Sequence, residues 1–230
     1  MPLGFYFDPT ILLILPAILI SIWAQMKVSS TFKEHSKTFT RNGITGYQAA
    51  RRILDANGLH YVRIERVRGH LTDHFDPRQN VIRLSESVYD RSNIAAVGVA
   101  AHEVGHAIQY AQDYSPIKLR ASILPITKYG SMFAMPLFFV GLIFAYEPLT
   151  FAGIILYSAV VLFQLVTLPV EFNASKRAMT TLEKMGILVD DEPKYARKVL
   201  SAAAMTYVAA LLTSLMTLLR LLILSNNRRR

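Results

Sequence analysis

Cysteine is absent from all 230 residues, which excludes a disulfide framework and any thiolate metal site. A metal held by this chain must therefore sit on His, Asp or Glu. Acidic residues are also scarce, 16 against 25 Lys and Arg, giving a formal net charge of +9. Such an excess fits either a nucleic-acid binder or a membrane protein with basic residues crowded on its cytoplasmic side. The cations lie beside apolar stretches and form no aromatic-interleaved basic patch, so the membrane reading is taken and no nucleic-acid partner is expected. The N-terminus lacks charge as well: no Lys or Arg precedes the first apolar run, which meets Lys27 at its end. A cleavable signal peptide has the reverse order, so this run reads as a retained anchor.

What is abundant is apolar sequence, 52% of the chain. It gathers into four stretches, at about residues 5–26, 131–146, 149–170 and 202–224. Each approaches the roughly 20 residues that a bilayer requires. The second and third are joined by little more than Glu147 and Pro148, which predicts an antiparallel hairpin through the membrane. Between the spans lie mixed segments, residues 27–128 and 171–201. An amphipathic helix is expected over 45–57, capped by Thr45 and stopped by Gly58. Strands are expected over 61–67 and 80–84, the second after the Asp76-Pro77 turn. Another helix follows over about 92–110, with Ser92 or Asn93 as its cap. Pro193 suits the first turn of a last helix that continues into the fourth stretch. The expected architecture is a mainly α membrane protein of about four transmembrane helices with a small α+β cytoplasmic part, forming one domain over 1–230.

Basic residues set the orientation. Lys27, Lys33, Lys37 and Arg41 follow the first span, Lys118, Arg120 and Lys128 precede the second, and Lys176, Arg177 and Lys184 follow the third. The hairpin turn carries none. Both polar segments are thereby placed in the cytoplasm. Arg228 to Arg230 conflict with this if the fourth stretch crosses, so it either crosses against the rule or bends back.

The chemistry concentrates in Ala101-His102-Glu103-Val104-Gly105-His106. Residues four apart share a helix face, so His102 and His106 can present both imidazoles to one ion, with Glu103 beside them as a base for water. Zinc accepts imidazole nitrogen and carboxylate oxygen and keeps an open position in catalytic sites. The surrounding helix is rich in Ala and Gly, which suits burial, and buried imidazoles and a carboxylate need a partner such as a metal. Glu171 is the best candidate for a third ligand, because a carboxylate at the end of an apolar span is costly unless neutralised. The competing reading is an interfacial carboxylate paired with Lys176 or Arg177. A rival cluster, His70-Leu71-Thr72-Asp73-His74-Phe75-Asp76, reads as a loop ordered by side-chain hydrogen bonds. Within it His74 is the residue expected to stabilise a transition state or orient a ligand. His35 and His60 read as ordinary surface or boundary residues.

On the anchor, residues 69–77, 100–109 and 168–178, the chain resembles the YugP-type membrane-bound neutral zinc metallopeptidases of bacteria. It is more distantly similar to the heat-shock and prenyl-protein gluzincin proteases. The resemblance implies a zincin-like fold, one zinc per chain on His102, His106 and Glu171, and Glu103 as catalytic base. It further implies protein or peptide substrates beside the bilayer, with room for an accessory membrane protein. The strand near 80–85 would pair with an extended substrate. The distant relatives carry acidic residues shortly after the ligand glutamate, where this chain has the neutral Asn173 and Ser175; Asn173 is the candidate to support a ligand from behind. The expected function is a zinc endopeptidase in the cell membrane, its site facing the cytoplasm. The alternative is a catalytically silent zinc-binding scaffold, which would need the histidines but not Glu103. An intramembrane protease and a metal transporter fit less well, the transporter because the second and third spans hold almost no polar residues.

Overall fold

The computed structural model describes residues 10–227. Six helices and a three-stranded sheet follow one another as α1 (Ile11–His35), α2 (Gly46–Ala56), β1 (Arg63–Val67), β2 (His74–Asp76), β3 (Val81–Ser85), α3 (Ile94–Ala111), α4 (Ser115–Ile143), α5 (Glu147–Lys184) and α6 (Glu192–Asn227). Residues 5–9 of the first expected span, and Arg228 to Arg230, lie outside the described residues.

Four of the helices, α1, α4, α5 and α6, are long and apolar enough to cross a membrane. Their large side chains remain uncovered: Leu12, Leu19, Phe133, Ile143, Leu162 and Leu222 are all exposed. Leaving so much apolar area in water would forfeit on the order of 25 cal/mol per Å², and bilayer hydrocarbon is the solvent that removes this penalty. The chain is a membrane protein, mainly α-helical with a small sheet.

Polar contacts fix how the spans run. Ser21 of α1 meets Thr213 of α6 at 2.9 Å, and the Arg220 guanidinium donates to the Thr10 hydroxyl at 3.1 Å. The two helices are therefore antiparallel. The turn between α4 and α5 shares a hollow with Ser225, so it lies at the same end as the start of α1 and the end of α6. All four helices reach that end, and α6 is unbroken to Asn227. Within the described residues the fourth stretch is one unbroken helix, long and apolar enough to cross, and does not bend back.

At the opposite end the helices run past the apolar stretches into a polar half. Here α4 begins at Ser115, well before the span expected from about residue 131, and α5 passes without interruption from the hairpin through Glu171 to Lys184. Hydropathy marks where lipid contact begins, whereas backbone hydrogen bonding continues wherever helical geometry is undisturbed. Thr45 caps α2 reciprocally with Gln48, and Asn93 caps α3 by accepting from the Ala96 amide at 2.8 Å. The α3 helix is nearly all buried, inserted among α2, α5, α6 and the sheet. Its Ala and Gly content is what such all-round packing needs. Glu192 starts α6, and its carboxylate accepts from the Val189 and Arg41 amides.

The sheet order is β1-β3-β2, with β1 parallel and β2 antiparallel to β3. The strand before α3 is thus filled on both sides, which corrects the expectation that it pairs with substrate. The short strand β2 stands at an edge in a segment expected to be a loop. Its turn chemistry is genuine, since Asp76 accepts from the Arg78 and Gln79 amides; three residues are too few for periodicity to reveal.

Candidate metal centre

His102 and His106 lie one turn apart on α3, with ring centroids 4.8 Å apart. Glu171 reaches them from α5. Its Oε2 stands 3.2 Å from His102 Nε2 and 3.5 Å from His106 Nε2, while its Oε1 accepts from the Arg120 guanidinium of α4 at 3.0 Å. The three side chains form the candidate metal-binding group among the described residues. Ligand bonds of about 2.0–2.1 Å at tetrahedral angles place neighbouring donor atoms about 3.3 Å apart. The observed spacings fit that requirement. Arg120 engages one carboxylate oxygen and leaves the other to face the imidazoles.

Close approach of α3 and α5 makes this possible. A Cβ at Gly105 would stand 2.6 Å from the Ala174 carbonyl oxygen, so only glycine allows the α5 backbone to lie against the helix carrying both histidines. That contact sits in register with Glu171 and Ser175, three residues before and one after Ala174.

The far nitrogens of the imidazoles are also engaged. His102 Nδ1 lies 3.1 Å from the Ser175 hydroxyl, and His106 Nδ1 lies 3.0 Å from Gln109 Oε1. The Gln109 amide nitrogen donates to the Val170 carbonyl at 2.8 Å and to Asn173 Oδ1 at 3.0 Å. Both amide protons being committed, Gln109 Oε1 accepts, and His106 Nδ1 carries the proton. That tautomer leaves the Nε2 lone pair aimed at a carboxylate oxygen. Two acceptors facing each other call for a cation between them. Burial opposes a charge on His106, but the Glu171 carboxylate outweighs it and raises the imidazole above its ordinary range, so without a metal a second proton, on Nε2, takes the place between the two groups.

Glu103 is buried on α3 and lines a cavity of about 270 Å³ together with His102, Glu171, Asp73 and Tyr207. Tyr207 comes from α6 and shares the cavity wall with Glu171. Asp73 accepts from the Ser85 amide at 2.7 Å and from its hydroxyl at 2.9 Å. Its burial pushes the carboxyl above the ordinary range despite those bonds. Phe75 of β2 packs edge-on against Tyr110 of α3, with centroids 5.7 Å apart, which holds the edge strand beside the site.

Residues 10–226 match the family described as "Putative neutral zinc metallopeptidase". The chain belongs to this family. It is also 49% identical over 219 residues to the "Putative membrane protease YugP" of Bacillus subtilis (strain 168), covering 95% of this chain and 97% of that one. No solved structure matches at a significant level. The family is described as one of zinc metallopeptidases, and the donor set of two imidazoles and a carboxylate is one that zinc accepts.

The structure brings His102, Glu103 and Glu171 to one cavity, with His106 against Glu171 beside it. Asn173 stands behind the site, bonded to Gln109 and, at 2.6 Å, to Arg177. His74 is not there. Its ring is exposed and meets the Thr72 carbonyl, while its neighbour Asp73 turns inward. Glu171 is paired with neither Lys176 nor Arg177; its cation is Arg120. The reading from sequence also missed Ser175, Gln109 and Tyr207. Two of these had a spacing signal, since Ser175 is four residues after Glu171 and Gln109 three after His106, on shared helix faces. Arg120 and Tyr207 come from distant helices and had none.

Proposed function

We propose that this protein is a zinc endopeptidase that hydrolyses peptide bonds of membrane or membrane-proximal proteins, with its site facing the cytoplasm. The whole chain acts as one metallopeptidase domain. One zinc per chain is held by His102 Nε2, His106 Nε2 and Glu171 Oε2. The observation that carries this reading is the convergence of those three lone pairs on one point beside Glu103, within a cavity large enough for part of a peptide.

When bound, zinc supplies Lewis acidity toward a carbonyl oxygen and lowers the pKa of water toward about 7. The Glu103 carboxylate takes a proton from the attacking water and delivers it to the leaving amine nitrogen. Arg120 keeps Glu171 ionised and turned toward the histidines. Tyr207, on the cavity wall, donates its hydroxyl to the oxygen that gains charge in the transition state. Leu71 and Asp73, immediately before β2, line the entrance, and β2 offers the edge along which an extended segment can lie. The cytoplasmic orientation rests on Lys27, Lys33, Lys128, Lys176 and Lys184, which all lie toward the site end of the helices. The bilayer is a fixed partner, and an accessory membrane protein has room beside the exposed spans.

A silent zinc-binding scaffold would need no base, and Glu103 in the cavity favours turnover. The test compares wild type with Glu103→Gln and Glu171→Ala for zinc content and for cleavage of an unfolded test protein. Glu103→Gln retains one zinc and loses about 10²- to 10⁴-fold in rate, while Glu171→Ala loses zinc as well. Full activity in Glu103→Gln, or undiminished zinc in Glu171→Ala, refutes the assignment.

A further inference from the structure

On the other side of the α1–α6 pair, a second hollow of about 540 Å³ opens where the apolar spans give way to the polar half. It is lined from α1 by Trp23, Lys27 and His35, and from α6 by Lys194, Arg197 and Lys198. Four cations therefore converge on one concavity whose lining contains a single carboxylate, Glu34. Arg197 is already committed to Glu183 at 2.9 Å, and Lys198 lies over the Tyr195 ring at 5.7 Å. Lys27 and Lys194 have no carboxylate within ion-pair distance among the described residues. His35, stacked on Tyr195 with centroids 5.2 Å apart, is buried, and its Nε2 has no hydrogen-bond partner among the described residues.

Such a concentration of like charge at the edge of a low-dielectric region is unfavourable unless an anion sits in it. The hollow also lies at a particular depth. Trp23 is half exposed at the end of the α1 span, where an indole suits the headgroup level, and the lysines stand just beyond it. Basic hollows between membrane helices on the cytoplasmic side suit anionic headgroups. We infer that this hollow binds the phosphodiester headgroup of an anionic phospholipid, Lys27 and Lys194 gripping the phosphate from the two helices. The inference does not depend on the peptidase reading. It has a consequence for it, because the opposite faces of the same two helices, through Val28, Phe32, Val199 and Ala203, wall the cavity at the metal centre. A lipid bridging α1 and α6 thus braces the wall of that cavity.

The test is thermal denaturation of the detergent-solubilised full chain titrated with phosphatidylglycerol, phosphatidylcholine or glycerol 3-phosphate. Phosphatidylglycerol gives a saturable rise in midpoint that the other two do not. Lys27→Gln with Lys194→Gln moves the titration to roughly 30-fold higher lipid, at about a tenfold loss per 1.4 kcal/mol and about 1 kcal/mol per lysine. Lys27→Arg with Lys194→Arg stays near wild type. Lys33→Gln with Lys37→Gln, which removes the same charge outside the hollow, also stays near wild type. The proposal fails if that last pair weakens the response equally, since the attraction is then diffuse. It fails if glycerol 3-phosphate matches phosphatidylglycerol, since the site then takes free phosphate. It fails too if wild type shows no preference for phosphatidylglycerol over phosphatidylcholine, a result that needs no variant to fold.

Discussion

Replacing Gly105 by Ala adds one methyl group, on the residue before His106 and opposite the backbone of α5. The added carbon would lie 2.6 Å from the Ala174 carbonyl oxygen and 3.1 Å from its carbonyl carbon. Ordinary contact begins at 3.4 Å, so α3 and α5 must separate by roughly 0.8 Å, and the obstacle is backbone that cannot rotate away. Overpacking of this kind costs about 1–3 kcal/mol. The larger effect falls on the candidate metal centre, because two of its proposed ligands ride on α3 and the third on α5. Coordination tolerates about 0.2 Å of error in ligand distance, a quarter of the forced shift. Gly105→Ala should therefore fold with a modestly lowered melting midpoint and bind zinc at least tenfold more weakly. The assay is zinc content after dialysis against a graded chelator series, alongside thermal denaturation of apo and loaded protein. Wild-type zinc retention in a folded Gly105→Ala protein would show that the helices can separate without disturbing the donors, and the geometric argument would be wrong.

Three further outcomes follow from the same site. Tyr207→Phe should keep one zinc and an unchanged melting midpoint while kcat for an unfolded protein substrate falls roughly 10- to 100-fold, as loss of a transition-state donor requires; an unchanged kcat removes Tyr207 from the mechanism. Gln109→Ala releases the His106 tautomer and should weaken zinc binding about 10- to 100-fold, measured by chelator competition, whereas Gln109→Glu, which can still accept from Nδ1, should restore most of it. Asp73 has a raised carboxyl in the folded state, so the folded protein holds that proton more tightly than the unfolded chain. Its contribution is thus favourable at low pH and is lost as pH rises from the ordinary aspartate value of 3.8 through the raised one. Asp73→Asn keeps an acceptor for the Ser85 amide without the charge, and should flatten this part of the stability profile in a pH series of thermal denaturation; an unaltered slope assigns it to other groups.

The four spans were legible from sequence because lipid contact demands apolar residues all round a helix, and Ala101 to His106 was legible because metal geometry imposes a four-residue spacing. Thr45 and Asn93 announced their helices through capping chemistry that acts within three residues. Distances along the chain explain the misses. Arg120 and Tyr207 reach Glu171 only because α4 and α6 return to it, and no local pattern records such a return. His74 drew attention as a histidine near acids, yet Asp73 is the side chain that turns inward, drawn there by the Ser85 amide and hydroxyl of a strand twelve residues on. β2 stands at an edge because β3 lies between it and β1, a matter of topology that neither strand's composition expresses.

The continuity of α5 has a practical corollary. One continuous helix, with Pro169 inside it, holds lipid-facing Leu162 and Leu165 at one level and the proposed ligand Glu171 a turn or two further on. Severing the chain between them would detach the carboxylate from the support that aims it, so no water-soluble fragment should be separable from the anchor with its chemistry intact. For the same reason a change in the tilt of this helix, such as a thinner or thicker bilayer would impose, would alter the distance between the carboxylate and the two imidazoles unless the bend that Pro169 allows absorbs it, which would make membrane thickness an input to the candidate metal centre.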